Sequence, residues 1–481
     1  MSKSLKKLLT EFKYLEHNSA NVKNNSLFLA YPGSSNDGRR YIGEAIKNGA
    51  SAIFYDPSDF KWDNQWNLPN LAINKLKDNV SMIASEFYNH PSHKINLIGV
   101  TGTNGKTSTV FWITQCLEKL KRKATMISTI GYGFRDNLKP TVNTTPDAIK
   151  IQSFLNDFVL DKVQDSCIEV SSHGIDQKRV SGIDFDVRLF TNFSRDHLDY
   201  HNSIESYAQT KKNFLLEASK GKLVINLDDP LGKLIYAESK LTKSNKISYG
   251  IESECLIKAK NIKKENKTTK FDLIYKNKIF KIEASVEGNY NVYNILAVIG
   301  TLVSFGYQIE DIKPLLKTLD SVPGRGEVLN TNLKCPTIII DYAHTPDALD
   351  NILRAFKSPK NKRLKIVFGC GGDRDKGKRK EMAKIVNKYA DFAIVTSDNP
   401  RNENPKKIIS DICQNLIVPN KAIEEREAAI KLVIETADIN DLILIAGKGH
   451  ETYQEIKGKR KNFSDKLIAK KYIAKFFGAK N

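Results

Sequence analysis

Short apolar runs alternate with amphipathic stretches along the whole chain, and that rhythm predicts an α/β protein. In residues 1–93, NNSLFLAY and SAIFYD read as strands around GRRYIGEAIKNGA, a helix stopped by glycine. PNLAINKLKDNVSMIASEFYNHP reads as a closing helix, with strand as the alternative for its first residues. His90-Pro91-Ser92-His93 reads as a linker, because proline disfavours helix in the residue before it.

From Lys94 to Val322 the apolar strand INLIGV leads into a glycine-rich loop and then the helix TSTVFWITQCLEKLKRK. Strand, phosphate loop and helix follow in the order that a P-loop needs. DSCIEVSS, VRLFTNF and KLVINLDD predict buried parallel strands. Each ends in polar residues, at the strand end where ligands of open α/β sheets gather. Residues 255–288 predict inserted antiparallel hairpins, and the Pro and glycines of SVPGRGEVL mark a boundary. From Pro323 to Asn481, TIIIDYA, LKIVFGCGG, FAIVTSD and DLILIAG alternate with helices, which predicts a second doubly wound sheet. The expected architecture is α/β in three domains. These are a small N-terminal α/β domain (1–93), a central P-loop ATPase-like parallel-sheet domain (94–322) and a C-terminal Rossmann-like domain (323–481).

Charge adds one question. Lys+Arg 75 against Asp+Glu 55 gives +20, which admits nucleic acid, a membrane surface or anionic substrates as partners. The lysines are spread along the chain, as on a solvated surface, and no RNA-binding signature or basic stripe supports nucleic acid. The six cysteines form no C-x-x-C pair, so neither a zinc site nor a disulfide framework is indicated. MSKSLKKLLTEFKYLEHN is too charged for a signal peptide, and no apolar run approaches the ~20 residues of a membrane helix. A cytoplasmic protein without membrane insertion is expected.

GVTGTNGKTSTV, residues 99–110, is the sharpest local signal. Gly105-Lys106-Thr107 supplies the end of a phosphate loop, but Val100 stands where its first glycine belongs, and Gly99 is one residue early. A variant loop is expected. Gly102 and Gly105 let the backbone approach phosphates, Lys106 contacts the terminal phosphates, and the Thr107 hydroxyl holds Mg²⁺.

This loop resembles that of the Mur ligases, the ATP-dependent amide-forming enzymes of peptidoglycan synthesis. The resemblance continues through NTTPDA, IEVSSHGIDQKRV, TNFSRDHLDYH, YAQTKKNFL, VINLDDP, GNYNVYNILA, VPGRGEVL, DYAHTPDAL, CGGDRDKGKR, DNPRNENP and GKGHETYQ, in the family's order, from about residue 95 to 465. It implies an ATP-dependent ligase that joins meso-2,6-diaminopimelate to UDP-N-acetylmuramoyl-L-alanyl-D-glutamate through an acyl phosphate, acting as a monomer. One departure stands out. The family usually shows D-S-R in the first domain, where the uridine end binds, and here Asn18-Ser19-Ala20 occupy those positions.

The resemblance assigns roles residue by residue. Gly102, Thr103, Asn104, Gly105, Lys106, Thr107 and Ser108 would bind ATP, with Asn226, Asp228, Asn291, Asn294 and Arg325 around adenine and ribose. Glu169 and His197, at predicted strand ends, could hold a second Mg²⁺. Lys211 matches the lysine that is carbamylated to N6-carboxylysine, which would add an anionic oxygen donor. His344 is a candidate for contact with the transferring phosphoryl group. Ser19, Thr144, Thr145, Ser171, Gln177 and Arg179 would bind the UDP-muramoyl dipeptide. Arg374, Asp398, Asn399, Pro400, Arg401, Gly447 and Glu451 would bind diaminopimelate, whose distal carboxylate suits Arg401 and is absent from lysine. Without the resemblance, Lys211 reads as a solvated helix residue, His197 as a capping or core histidine, Asn291 as a helix cap and DNPR as an ordinary turn. The competing functions are another amide ligase, such as a folylpolyglutamate synthetase, a nucleic-acid-stimulated P-loop ATPase, and a non-catalytic nucleotide-binding scaffold.

Overall fold

The structure, a computed structural model, describes residues 3–33, 36–217, 220–265, 268–329, 333–357 and 362–478. Its contacts divide the chain into two compact units. The first comprises Met1–Thr101, Leu117–Arg188 and Glu217–Lys222; the second comprises Gly102–Cys116, Leu189–Leu216 and Leu223–Asn481.

The first unit opens with a wholly parallel four-stranded sheet, Tyr14–Glu16, Ser26–Ala30, Ala50–Tyr55 and Asn70–Ala72 in chain order. Ser26–Ala30 is buried on both faces, as the continuous apolar run SLFLA requires. The stretch expected as one helix at 38–50 is a 3-10 turn, Gly38–Tyr41, followed by a short α-helix, Ile42–Lys47. The Asp37 side chain accepts from Arg39 N and caps the turn, so the helix begins late. The alternative for the next segment holds: Asn70–Ala72 is a strand and the helix starts at Leu76. His90–His93 contains a 3-10 turn over Pro91–His93. Ser34 and Ser35 lie outside the described residues.

The same unit holds Asn96–Thr101, Asp165–Glu169 and Ala124–Ser128 as parallel neighbours, with Gly131–Gly133 antiparallel at the edge. Gly99 pairs with Ile168 inside the first of these strands, so it belongs to the sheet and not to the phosphate loop. Asp147 caps the helix Ala148–Leu160 by accepting from Lys150 N.

In the second unit, Lys222–Asn226, Lys246–Gly250 and Ile257–Glu265 pair in parallel. Thr268–Tyr275 and Lys278–Ala284 then add antiparallel, as expected for the inserted hairpins, whose Asn266 and Lys267 lie outside the described residues. A six-stranded sheet follows in the order Glu327–Val328, Thr337–Asp341, Leu442–Ala446, Leu364–Phe368, Phe392–Val395, Asn420–Ala422, parallel except at its first strand. Leu349, Ile352, Met382, Val386, Ile408 and Ile412 cover one face, and Ile430, Val433, Tyr472 and Ile473 the other. Helices on both faces make this a doubly wound sheet, and its strand ends deliver the loops 342–344, 369–374, 396–401 and 447–451 to one edge. Among the described residues no helix is long and apolar enough to cross a membrane.

Candidate functional site

The phosphate loop begins at Gly102. With φ +145° there and +84° at Gly105, the backbone adopts conformations that L side chains rarely take. A Cβ on Gly102 would lie 1.9 Å from Thr191 Oγ1, and one on Gly105 2.3 Å from Asn294 Oδ1. These two glycines thus do the work that the displaced Gly99 cannot. Asn104 N donates to Asn192 Oδ1 at 2.9 Å, and Thr103 N to Asn192 O at 2.8 Å. Lys106 Nζ folds back onto the carbonyls of Gly102 (3.0 Å) and Thr103 (2.7 Å). Thr107 Oγ1 accepts from Arg325 Nη2 at 2.9 Å, and the Arg325 guanidinium lies 4.2 Å from the Tyr342 ring centre. Ser108 is buried in the first turn of the helix Lys106–Lys119.

Lys211 is 1% exposed and donates to Gly102 O at 2.8 Å. Burial, with the Lys106 charge adding to it, pushes its amine well below the usual lysine range despite Asp196. His197 sits in left-handed backbone (φ +54°), with Nε2 3.3 Å from Asp196 Oδ2. Asp196 is also ion-paired to Lys378. Burial opposes its ionisation, but His197, Lys378 and His344 outweigh that and hold it below the ordinary carboxylate range. His344 Nδ1 is 2.8 Å from Tyr342 O, and burial keeps its imidazole below the ordinary histidine value.

Asn294 Nδ2 donates to Asn291 Oδ1 at 3.0 Å, the two lying three residues apart on one helix face, and Asn294 Oδ1 sits against Gly105. Asn291 and Arg325 share a cavity of about 140 Å³ with Trp112, Tyr290 and Phe356. Asn226 Nδ2 donates to Thr191 O at 2.9 Å. Asp228 accepts from the N–H groups of Ile251, Glu252 and Ser253 and from Tyr293 Oη, so it clamps that loop. Burial opposes its charge, but these donors prevail and bring its pKa to about 2.

In the first unit, the buried Glu169 accepts from Thr129 N (3.2 Å) and Thr129 Oγ1 (3.0 Å), and Thr144 Oγ1 is 3.1 Å from that hydroxyl. Thr145 Oγ1 donates to Glu169 O and accepts from Ser171 N, while Ser171 Oγ caps its helix at Gly174 N. Arg179 forks onto Gln177 Oε1 and reaches Thr145 O at 2.6 Å. Ser19, Gln177 and Arg179 line one cavity of about 670 Å³ together with His17, Tyr31 and Asp147. Asn18, standing where the resemblance leads one to expect an acid, caps the turn Ser19–Asn21 through Ala20 N, and Ser19 Oγ donates to Glu44 Oε2 at 3.0 Å.

At the edge of the six-stranded sheet, Asp398 Oδ1 accepts from Asn399 N, while its buried Oδ2 has no partner among the described residues. A Cβ on Gly447 (φ +115°) would come within 2.3 Å of that oxygen. Asn399 Nδ2 donates to Glu451 Oε2 at 2.9 Å. Pro400 O faces Gly372, where a Cβ would sit 2.0 Å away. Arg401 and Arg374 flank Gly371; Arg401 Nη1 donates to Gly372 O at 2.8 Å, and Arg374 pairs with Asp199 at 2.9 Å. Asp196, Lys378, Tyr342 and Lys448 were not among the residues singled out from sequence. The first three and Lys448 all lie within the quoted motifs, so the motifs themselves were the available signal.

Fold and site define an α/β protein with a phosphate-loop motif, a cavity of mixed charge and a cluster of polar side chains at one set of strand ends. Family models match over three successive stretches: "Mur ligase family, catalytic domain" at 11–88, "Mur ligase middle domain" at 100–302 and "Mur ligase, glutamate ligase domain" at 324–449. A UDP-N-acetylmuramoyl-L-alanyl-D-glutamate–2,6-diaminopimelate ligase of Clostridium acetobutylicum is 38% identical over 98% of this chain and 100% of its own length. One from Fusobacterium nucleatum is 39% identical over 98% and 96%. A solved structure of a ligase with that name has a TM-score of 0.68 at 30% identity, covering 96% of this chain and 95% of the other. The MurF ligase of Thermotoga maritima, solved with ADP, shares the fold at TM-score 0.71 and 19% identity, with complete coverage of both chains. The chain belongs to the Mur ligase family.

Proposed function

We propose that this protein is an ATP-dependent amide ligase that adds meso-2,6-diaminopimelate to UDP-N-acetylmuramoyl-L-alanyl-D-glutamate in peptidoglycan precursor synthesis, as a cytoplasmic monomer. Residues 1–93, 94–322 and 323–481 serve as the sugar-nucleotide, ATP and amino-acid modules. The observation that carries the reading is the polar receptor. The Arg401 guanidinium and the Arg374 side-chain stem flank Gly371, with the Arg374 guanidinium on Asp199, and Asp398, Asn399 and Glu451 supply acceptors and an amide. Such a set suits a ligand whose far end bears both carboxylate and ammonium, as diaminopimelate does and lysine does not.

ATP phosphates meet the N–H groups at the start of the helix Lys106–Lys119, and Lys106 exchanges its two carbonyl acceptors for phosphate oxygens. Asn291 and Arg325 line the neighbouring cavity and bound the base and ribose. The γ-carboxylate of the D-glutamyl residue attacks the γ-phosphorus and ADP departs. The free amine of diaminopimelate then attacks the acyl carbon, and phosphate leaves with its bonding pair. Arg179, Gln177, Thr144, Thr145 and Ser171 orient the acid, and neutral His344 meets the transferring phosphoryl group. Positioning and charge neutralisation supply most of the acceleration.

The residues fit Mg²⁺ by their donor chemistry. In the second unit, Thr107 offers a hydroxyl held by Arg325 and His197 an imidazole. The buried Lys211 amine favours its neutral form, the form that combines with CO₂ to a carbamate, and so would add oxygen donors. Bound by these groups, the metal would neutralise phosphate charge.

The test is mass spectrometry of the product formed from the UDP-muramoyl dipeptide and ATP with equimolar meso-diaminopimelate and lysine, and with a folate acceptor in a parallel reaction. Diaminopimelyl tripeptide as the dominant product is expected. Lysyl product in equal yield, or a glutamylated folate, would overturn the assignment.

A further inference from the structure

The turn Gly447-Lys448-Gly449 carries a lysine that is 0% exposed and that no role has yet absorbed. Its Nζ donates to Asn399 Oδ1 at 3.0 Å and to Glu451 Oε2 at 2.6 Å. A second donor, Glu455 N, also reaches Asn399 Oδ1, at 2.9 Å. An ammonium and a backbone N–H can only donate, and a carboxylate can only accept. These partners therefore leave one orientation for the Asn399 amide, with its oxygen toward Lys448 and its nitrogen toward Glu451.

The consequence reaches the ligand. Asn399 Oδ1 already accepts twice, so Asn399 can present only an N–H to an incoming molecule. Glu451 Oε2 accepts twice as well, from Lys448 and Asn399, which leaves Oε1 as its acceptor. Asp398 Oδ2 lies buried and unpartnered among the described residues beside Gly447. The receptor thus offers a donor for a carboxylate and two carboxylate oxygens for an ammonium. Without the lysine, Glu451 is a half-satisfied, largely buried anion and the amide keeps only one of its two orienting donors.

We propose that Lys448 is the positioning residue of the amino-acid site: by holding Asn399 and Glu451 in this one arrangement, it makes the site read the zwitterionic end of the acceptor amino acid. The assignment rests on the amino-acid site proposed above, and its test separates the two. Steady-state ligation is measured with saturating UDP-muramoyl dipeptide and ATP while meso-diaminopimelate is varied, for Lys448→Met, Asn399→Ala, Glu451→Gln and the double variant Lys448→Met/Glu451→Gln. Lys448→Met is expected to raise KM for diaminopimelate about 10- to 100-fold, the range that an unsatisfied buried polar group commands. KM for ATP stays within about 3-fold, because no ATP-site group loses a partner. In the Glu451→Gln background the same substitution is expected to cost less than about 3-fold, since residues acting through one another are non-additive.

A purely structural lysine would instead raise both KM values or lose the same factor in either background, and either result overturns the assignment. Should Asn399→Ala raise KM for diaminopimelate while Lys448→Met leaves it unchanged, Lys448 is not the positioning residue although the amino-acid site stands. Unchanged KM in both variants means that the amino-acid site lies elsewhere, and the lysine assignment falls with it. Where Lys448→Met does not accumulate as folded protein, Lys448→Leu, which likewise removes the donor, carries the same comparison.

Discussion

Beside Gly447, Arg426 and Asp465 are both wholly buried and joined by two parallel hydrogen bonds of 2.8 Å, Nε to Oδ1 and Nη2 to Oδ2. Arg426 Nη2 also donates to Ala446 O at 2.8 Å, at the end of the strand that delivers Gly447. Asp465→Ala would leave the guanidinium with that single carbonyl, and Nη1 already has no partner among the described residues. Breaking a buried pair in this way costs about 3–5 kcal/mol, because the remaining charge keeps its desolvation penalty and loses its counter-ion. Replacing both partners with apolar groups of similar size, Arg426→Met with Asp465→Leu, removes the penalty along with the attraction and is expected to stay within about 1 kcal/mol of the parent. Urea unfolding followed by tryptophan fluorescence and far-ultraviolet dichroism measures both. A loss under about 1 kcal/mol for Asp465→Ala, or a double variant as unstable as the single, would refute the reasoning.

Two further outcomes follow from buried titratable groups. Burial first, then the Asp147 charge, raises Glu16 from 4.5 to about 7 against the pull of Lys150 and Lys23. A carboxyl that holds its proton more tightly when folded contributes stability below its unfolded value, and that contribution is lost as pH rises from 4.5 through about 7. Discounted for partial exposure, the loss is about 1–2 kcal/mol, and Glu16→Gln should flatten the thermal-melt profile across that window; an unchanged slope would remove Glu16 as its source. Lys211→Ala is expected to lower kcat by about 100-fold or more while calorimetry finds ATP affinity little changed; full activity would exclude a carbamate donor there.

Local pattern was enough for the elements. Apolar runs such as SLFLA and LILIA are strands because only burial on both faces accommodates them, and Gly102 and Gly105 announced a backbone that side chains could not follow. Where local signals competed, the reading blurred: the helix after Asp37 starts only at Ile42, because a side-chain cap favours a 3-10 turn first. The matching motifs identified the family.

What the tertiary structure alone decided is partnership. Nothing within the helix Ile204–Leu216 distinguishes Lys211 from an exposed lysine; only folding seals it against the Gly102 carbonyl, and the resulting loss of solvent lowers its basicity. Likewise Asn399, Lys448 and Glu451 are separate letters of two motifs until the sheet brings two strand ends together. Periodicity encodes which face of an element is buried, whereas the direction of a hydrogen bond depends on groups that only packing makes neighbours.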